Sequence, residues 1–78
     1  MKANQLDKGD VVFVKPLNKE MIYMGLDHQS KENGHWVDQF KVGRITKDGQ
    51  LHEADRDSIR SMTFPIKDFK KTKKRIEY

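Results

Sequence analysis

Residues 19–46 read KEMIYMGLDHQSKENGHWVDQFKVGRIT, and the dipeptide Asn33-Gly34 near the middle of this stretch decides how the chain folds back. Asn-Gly readily takes positive φ at both central positions of a type I′ turn, the tight turn that joins two antiparallel strands. Strand-forming residues flank the dipeptide on both sides, from Lys19 to Gln29 and from His35 to Thr46. The sequence therefore predicts a β-hairpin centred on Asn33-Gly34.

Further strands are predicted before and after this hairpin. Asp48-Gly49 is a second hairpin-turn pair, after which Gln50 to Ala54 is predicted to return as a fourth strand. The run Val11 to Val14 favours a buried first strand that ends before Pro16. After a polar turn, Ile59 to Phe64 is predicted to supply a short fifth strand. Five short antiparallel strands predict a mainly β fold in which the sheet curls into a small barrel to bury one face.

Two segments carry a recognisable pattern. The first is Gly9-Asp10-Val11-Val12-Phe13-Val14, and the second is Glu53-Ala54-Asp55-Arg56-Asp57-Ser58-Ile59-Arg60-Ser61-Met62, a polar helical turn that leads into a strand headed by Ile59. With two hairpins between them, these segments resemble the SH3-like small barrels of the KOW or Tudor sort over about residues 6 to 64. The resemblance implies a scaffold used for contacts with RNA, DNA or the transcription and translation machinery, and the fold does not say which.

The net charge of +4 lies entirely in the last thirteen residues, because residues 1–65 hold ten basic and ten acidic side chains. From Pro65 on, the residues favour a helix: Pro65 suits a first turn, and Ile66, Phe69 and Ile76 fall on one stripe at the helical period. A basic C-terminal helix or flexible arm would present its charges to a polyanion, of which nucleic acid is the commonest. The predicted phosphate contacts are Lys67, Lys70, Lys71, Lys73, Lys74 and Arg75. Two other interpretations stay open: the lysines aid solubility, or they contact an acidic protein or lipid surface.

Aromatic side chains are a second candidate for nucleic-acid contact, because rings beside a basic groove stack on unpaired bases. The candidates are Tyr23, Trp36 and Phe40, of which Tyr23 is assigned to the binding surface. Counting residues from the first hairpin turn places Trp36 opposite Lys31 and Phe40 opposite Asp27, with both rings on one face. Since so small a core needs large apolar side chains, Trp36 and Phe40 are predicted to point inward.

The sequence argues against an enzyme. It contains no cysteine, so disulfides and Cys-ligated zinc are excluded, and the spacing of His28, His35 and His52 is not that of metal ligands. The acidic run at residues 53–57 lacks the glycine and terminal glutamate of a calcium loop. No phosphate loop, dinucleotide fingerprint or nucleophile elbow occurs. We expect no catalytic residues, no metal and no cofactor.

Taken together, these patterns predict a small barrel over residues 1–64 followed by a basic C-terminal helix or tail over residues 65–78. Without cysteine, and without a segment long enough for a signal peptide or membrane span, we expect a cytoplasmic protein, monomeric or weakly homodimeric. The preferred hypothesis is a non-enzymatic protein that binds DNA or RNA with little sequence preference. The alternative is a protein-binding module or inhibitor, whose size suggests a phage or mobile-element origin, that docks on a host enzyme or polymerase through a barrel edge and the surface around Tyr23.

Overall fold

The computed structural model describes residues 2–56 and 62–77, and within these residues five strands form one antiparallel sheet in the order β4-β3-β2-β1-β5. The strands are β1 Asp10–Val14, β2 Lys19–Glu32, β3 His35–Gly43, β4 Met62–Phe64 and β5 Phe69–Arg75. The helical segments are α1 Glu53–Arg56 and the 3-10 turns Ala3–Gln5, Lys15–Leu17 and Ile66–Asp68. Among these residues, no helix combines the length and the hydrophobicity that spanning a membrane requires.

Strand β1 lies inside the sheet, between β2 and β5, and most of its residues are buried, as its apolar run predicts. Val12 is opposite Met21 on β2 and Lys71 on β5, and Val14 is opposite Phe69. The side of the sheet to which Val12, Val14, Met21 and Phe69 point is what we call the core face. The buried cluster on this face consists of Leu6, Val12, Val14, Met21, Tyr23, Phe40, Val42 and Phe69.

The opposite face of the sheet centre is covered by the segment that follows β3. Val11 and Ile22 are opposite each other on this face and are 1% and 0% exposed. Ile22 is also opposite Gly43, and the Leu51 side chain packs so close to the Gly43 backbone that a Cβ there would overlap it. Leu51 is itself buried. The loop that carries Leu51 therefore closes the second face of the sheet.

The predicted β2–β3 hairpin is confirmed and turns at Asn33-Gly34, where φ is 48° and 82°. Lys31 is opposite Trp36, as residue counting predicts. Both strands continue beyond the core, and residues 26–38 are mostly exposed. We call residues 26–38 the arm. The hairpin is therefore longer than the part of the sheet that the core covers.

Strand β2 contains two register shifts that residue counting misses, one on each side of Leu26. Phe40 is consequently opposite Leu26, and the predicted pairing with Asp27 is wrong. Gly25 lies within the first shift and has φ 94°, in the left-handed region that glycine adopts without strain. Extra residues in one strand of an antiparallel pair are β-bulges, which bend the strand and increase its twist.

The second predicted turn has a different geometry. Gly49 has φ 75°, whereas the φ of Asp48 is not positive, so the pair does not form a type I′ turn. The Gly49 amide donates to the Thr46 carbonyl at 3.0 Å, and the Thr46 amide donates to the Gln50 carbonyl at 2.8 Å. This is a three-residue loop that closes with a left-handed glycine.

The fourth strand predicted over Gln50 to Ala54 is wrong. Leu51 forms an isolated bridge with Ile45, and α1 follows at once. The physical reason is local: the Asp55 carboxylate accepts hydrogen bonds from the Arg44 amide at 2.8 Å and from the Arg44 Nε at 2.9 Å. These bonds hold the chain in a turn at the end of β3, where a strand would have continued the ladder.

The predicted fifth strand is present in part, as β4, and the residues of that prediction at positions 59–61 lie outside the described residues. β4 pairs with β3 along the edge of β3 that faces away from β2. Phe64 is opposite Phe40, and its ring packs edge-on to Phe69 with centroids 6.4 Å apart. This short strand therefore contributes to the same aromatic core.

The predicted C-terminal helix is wrong, because residues 66–68 form a 3-10 turn and the residues that follow form β5. Three apolar residues over so short a segment stabilise an isolated helix poorly. As a strand, the segment pairs with the free edge of β1 and buries Phe69, which is 4% exposed. The free energy gained by pairing with β1 and burying Phe69 exceeds what a short helix with this periodicity would gain.

The sheet does not close into the predicted barrel, and β4 and β5 remain its two edges in the described part of the chain. The core face is covered instead by residues near the chain ends and in the 3-10 turns. Leu6 is buried there, and Ala3, Leu17, Phe64 and Ile66 are partly buried against the cluster. Since these side chains exclude water from the core face, closure of the sheet is not needed.

Candidate nucleic-acid interface

Strand β5 places its cations along an edge of the sheet. Lys70, Lys71, Lys73 and Lys74 are exposed, whereas Phe69 at the start of the strand is buried. Lys70 is opposite Phe13 and Lys71 is opposite Val12 on β1. Since strand side chains alternate, Lys70 and Lys71 point to opposite faces of the sheet. The positive charges therefore lie on both sides of the edge and not on a single helical ridge.

One buried carboxylate neutralises part of this charge. Asp10 is 6% exposed, and its Oδ1 accepts a hydrogen bond from Arg75 Nη1 at 2.9 Å, while Lys71 Nζ lies 3.9 Å from its Oδ2. The Asp7 amide donates to the same carboxylate at 2.9 Å. Burial by itself would raise the pKa of Asp10, but the hydrogen bonds and the two positive charges together lower this pKa below its usual value.

Three of the six predicted phosphate contacts pair with carboxylates in the described part of the chain. Lys71 and Arg75 share Asp10, and Lys74 Nζ lies 3.0 Å from Oε1 of Glu20. The other three, Lys67, Lys70 and Lys73, form no ion pair with any residue in the ranges 2–56 and 62–77. Part of the charge predicted to face a polyanion is thus matched internally, and part is left exposed.

An open depression beside Phe69, at the β5 edge of the sheet, collects several of these cations. It is lined by Gln5, Lys15, Phe69, Lys70 and Lys71. Lys15 Nζ donates to the Lys67 carbonyl at 3.3 Å, and Lys71 Nζ donates to the Gln5 carbonyl at 2.9 Å. The depression therefore places ammonium groups around a largely buried aromatic ring.

Lys15 is a member of this surface that sequence reasoning misses. It follows directly after Val14, and Val14 is opposite Phe69 in the β1–β5 pair. Lys15 consequently lies beside the start of β5 although about fifty residues separate them in sequence. No local signal marks it, because its position depends on the pairing of β1 with the C-terminal strand. We call Lys15, Lys67, Lys70 and Lys73 the basic edge.

Tyr23 does not join this surface. It is 5% exposed, and its ring packs on Phe40 and Phe69 with centroid distances of 5.8 Å and 6.3 Å. Burial raises the pKa of the Tyr23 hydroxyl, and the negative charge of Asp7 adds to this rise. From this position the Tyr23 ring is a core residue with no open face for a nucleic-acid base.

The other two aromatic candidates, Phe40 and Trp36, differ in burial. Phe40 points inward as predicted and is 4% exposed, whereas the inward prediction for Trp36 is wrong, because its ring is 67% exposed. Trp36 lies near the end of the arm, beyond the covered part of the sheet. Lys31 Nζ lies 6.0 Å from the centroid of its ring, at the limit of a cation–π contact. The strand periodicity was correct, but the core ends before it reaches Trp36.

The histidines and carboxylates do not gather into a metal site within residues 2–56 and 62–77. His28 Nδ1 lies 2.7 Å from Oδ2 of its neighbour Asp27, and His52 Nδ1 accepts a hydrogen bond from the Ala54 amide at 3.2 Å. Both contacts are local. The strongest chemical feature of the described surface is therefore its concentration of positive charge along β5.

No protein-family profile, curated protein or solved structure matches this chain.

Proposed function

We propose that this protein is a non-enzymatic nucleic-acid-binding protein that contacts the phosphate backbone of DNA or RNA with little sequence preference. The observation that supports this function is the basic edge, whose four lysines have no carboxylate partner among the described residues. Exposed ammonium groups on β5 and in the adjacent 3-10 turns can approach phosphates, and phosphate contacts fix position on a nucleic acid without reading its sequence.

The expected binding is weak and dependent on salt. If each lysine of the basic edge neutralises one phosphate of duplex DNA, the slope of log K against log salt is about −3.6. Affinity then falls roughly 100-fold between about 50 and 200 mM salt. Lys71, Lys74 and Arg75 contribute less to binding, because each already forms an ion pair with a carboxylate of its own chain.

The test is fluorescence anisotropy with labelled single-stranded DNA, duplex DNA and single-stranded RNA over a salt series. Lys70→Glu with Lys73→Glu reverses two charges of the basic edge, and we expect binding to be lost at about 150 mM salt. The matched control is Lys31→Glu with Lys47→Glu, which makes the same change in net charge at two exposed lysines outside β5. Equal losses in both variants, or binding indifferent to salt, would contradict a phosphate-binding basic edge.

Point substitutions are needed because the C-terminal segment cannot be removed. Deletion after Phe64 takes away β5 together with Phe69, which is buried in the core cluster. Such a deletion would unfold the chain whatever the function of its lysines. Charge reversal on exposed positions leaves the sheet intact and changes the surface alone.

A protein-binding module is the second candidate, supported by a different observation. Trp36 and Leu26 on the arm are 67% and 60% exposed, and large apolar side chains in the open mark interaction surfaces when they occur together. The test is capture from nuclease-treated lysate with wild-type and Trp36→Ala protein as bait. A partner that survives nuclease and is lost with Trp36→Ala would support this candidate.

A further inference from the structure

The arm combines negative charge with exposed apolar side chains. Its charged residues are the carboxylates Asp27, Glu32 and Asp38 and the ammonium of Lys31. Acidic groups therefore exceed basic ones, and the arm has the opposite sign to the basic edge. A surface of this kind repels a polyanion and attracts a positively charged protein surface.

The two large exposed apolar side chains of the arm, Leu26 and Trp36, lie on the same face. Leu26 is opposite Phe40, which points to the core face. Trp36 precedes Phe40 by four residues on β3, and the register shifts of this hairpin consist of extra residues in β2. Because β3 alternates without interruption, Trp36 and Asp38 share the side of Phe40. The core face therefore continues outward along the arm as an exposed surface with a ring, an aliphatic side chain, the Asp38 carboxylate and, opposite Trp36, the Lys31 ammonium.

The arm extends away from the basic edge of its own chain. β5 and β2 run in the same direction, because both are antiparallel to β1. Arg75 at the end of β5 is opposite Asp10, and the neighbouring Gly9 amide donates to the Tyr23 carbonyl at 2.9 Å. β5 thus ends level with Tyr23, three residues before the arm begins. The arm reaches farther in the same direction, so only another molecule can bring a basic edge to it.

We propose that the arm docks on the basic edge of a second copy of this chain, in a two-fold dimer that makes this contact twice. In this arrangement Trp36 and Leu26 lie against the depression lined by Phe69, and the arm, with three carboxylates and one ammonium, meets the lysines of the basic edge of the other copy. A reciprocal contact closes the assembly and prevents growth into a filament. Direct pairing of two β5 edges is disfavoured, because lysines on an edge strand repel their own copies.

Two physical terms determine how strong the dimer is. The charge pairs lie at the rim of the contact, so they weaken as salt screens them. Trp36 is the anchor that loses water, and removal of a tryptophan anchor weakens association roughly 30-fold. We therefore expect a dimer at low salt that dissociates on dilution or when salt is added.

The first experiment measures self-association of the wild-type chain without nucleic acid. Sedimentation equilibrium over the micromolar to millimolar range gives the dissociation constant at low and high salt. Trp36 is the only tryptophan of the chain, so a shift of its emission to longer wavelength on dilution reports exposure of this one ring. Trp36→Ala should weaken the dimer roughly 30-fold without changing the far-ultraviolet circular dichroism spectrum.

The second experiment is a charge exchange between copies. One variant reverses the arm, Glu32→Lys with Asp38→Lys, and the other reverses the basic edge, Lys70→Glu with Lys73→Glu. Each variant alone should be monomeric. The arm variant has a positive arm against a positive basic edge, and in the edge variant the two new glutamates offset Lys15 and Lys67, so its negative arm meets no net positive charge. An equal mixture should form a heterodimer, since the negative arm of the edge variant then meets the unaltered basic edge of the arm variant. Adding Trp36→Ala to both variants should abolish the heterodimer, which separates docking from attraction between oppositely charged proteins.

Several results would overturn the proposal. A wild-type chain that stays monomeric at low salt over the whole concentration range has no such dimer. A dimer that is insensitive to Trp36→Ala and to both charge variants uses another surface. A monomer whose Trp36 emission shifts only when nucleic acid is added would assign the arm to nucleic acid instead. These outcomes are independent of the anisotropy test of phosphate binding, which uses dilute protein and labelled nucleic acid.

Nucleic acid should compete with the dimer, an expectation that rests on the proposed function. If phosphates and the arm of a second copy use the same lysines, then nucleic acid and self-association compete. Adding duplex DNA to the dimer should then release monomers and shift the emission of Trp36 to longer wavelength. A ternary complex of two chains on one DNA with buried Trp36 would show that the two surfaces are separate.

Discussion

The Arg75 guanidinium donates a 2.9 Å hydrogen bond from Nη1 to Oδ1 of Asp10, which joins the last residue of β5 to the first residue of β1. The same guanidinium donates from Nη2 to the Lys8 carbonyl at 3.2 Å. Asp10 is buried, so its carboxylate depends on these partners to replace water. The contact holds the C-terminal strand against the interior of the sheet.

Asp10→Asn should destabilise the fold by about 1 to 2 kcal/mol, because the amide keeps the shape of the side chain but loses the charge that Arg75 and Lys71 face. Urea unfolding followed by circular dichroism measures this difference in the free energy of unfolding. Asp48→Asn is a suitable control, since Asp48 is exposed in a loop. Equal stability of the wild type and Asp10→Asn would mean that this ion pair does not support β5.

The stability of the chain should fall on acidification. The pKa of Asp55 is lowered mainly by the hydrogen bond from the Arg44 side chain, and the pKa of Asp10 is lowered as well. A carboxyl whose pKa is lower in the folded than in the unfolded chain stabilises the fold above the unfolded value, near about 4. This contribution is lost as the pH falls through the folded value.

We therefore expect the free energy of unfolding to decrease below about pH 4, and the gap between the wild type and Asp10→Asn to narrow there. Urea unfolding at neutral pH and at several acidic values measures both quantities. A gap that stays constant down to about pH 2 would contradict a stabilising role of the ionised Asp10 carboxylate.

Phe69→Ala tests whether the C-terminal segment belongs to the fold. Phe69 is 4% exposed and packs on Tyr23, Phe40 and Phe64, so its truncation should cost about 3 to 5 kcal/mol. Lys73→Ala on the exposed side of the same strand should change stability by less than about 0.5 kcal/mol. Thermal unfolding of both variants gives the comparison. An unchanged transition for Phe69→Ala would show that β5 does not pack on the core.

Two glycine substitutions separate backbone strain from steric overlap. Gly9 and Gly34 both have positive φ, 103° and 82°, so alanine is strained at either position. At Gly9 a Cβ would also overlap the Ile76 carbonyl oxygen, whereas Gly34 has nothing within 4 Å. We expect Gly34→Ala to cost about 1 kcal/mol and Gly9→Ala at least about 1 kcal/mol more, measured by urea unfolding. Equal costs would mean that the Gly9–Ile76 contact is not formed.

Trp36→Ala and Phe40→Ala should differ in their effect on the monomer although both positions share one face of β3. Trp36 is 67% exposed, so its loss should change stability by less than about 0.5 kcal/mol, and loss of the buried Phe40 should cost about 3 to 5 kcal/mol. Unfolding is measured in dilute protein at high salt, where self-association does not contribute. A large cost for Trp36→Ala under these conditions would place its ring in the monomer core.

Local patterns predicted those elements whose partners are near in sequence. Asn33-Gly34 determines the β2–β3 hairpin, because only a few backbone conformations join two strands in two residues, and the pairing of Lys31 with Trp36 follows from it. The run Val11 to Val14 likewise predicts a largely buried strand. Farther from the turn, the pairing of Phe40 was missed because bulges in β2 shift the register without a signal that residue counting can detect.

In the candidate site, too, the features that depend on composition were predictable and those that depend on distant strand pairing were not. Composition located the positive charge in the C-terminal residues, but neither its distribution nor its pairing could be predicted. Arg75 meets Asp10, and Lys15 joins the basic edge, only because β5 pairs with β1. The exposure of Trp36 depends on where the covered part of the sheet ends, and strand periodicity does not carry that information.

The amino-acid sequence by itself determined that this protein is mainly β, where its longest hairpin turns, and where its positive charge is concentrated, since these properties depend on neighbouring residues and on composition. Only the tertiary structure decided that the C-terminal segment is a strand, that the sheet stays open, and which lysines are paired. The reason is energetic: a segment with a weak helical pattern adopts the conformation that fills the free edge of β1 and buries Phe69, and that edge exists only in the folded chain.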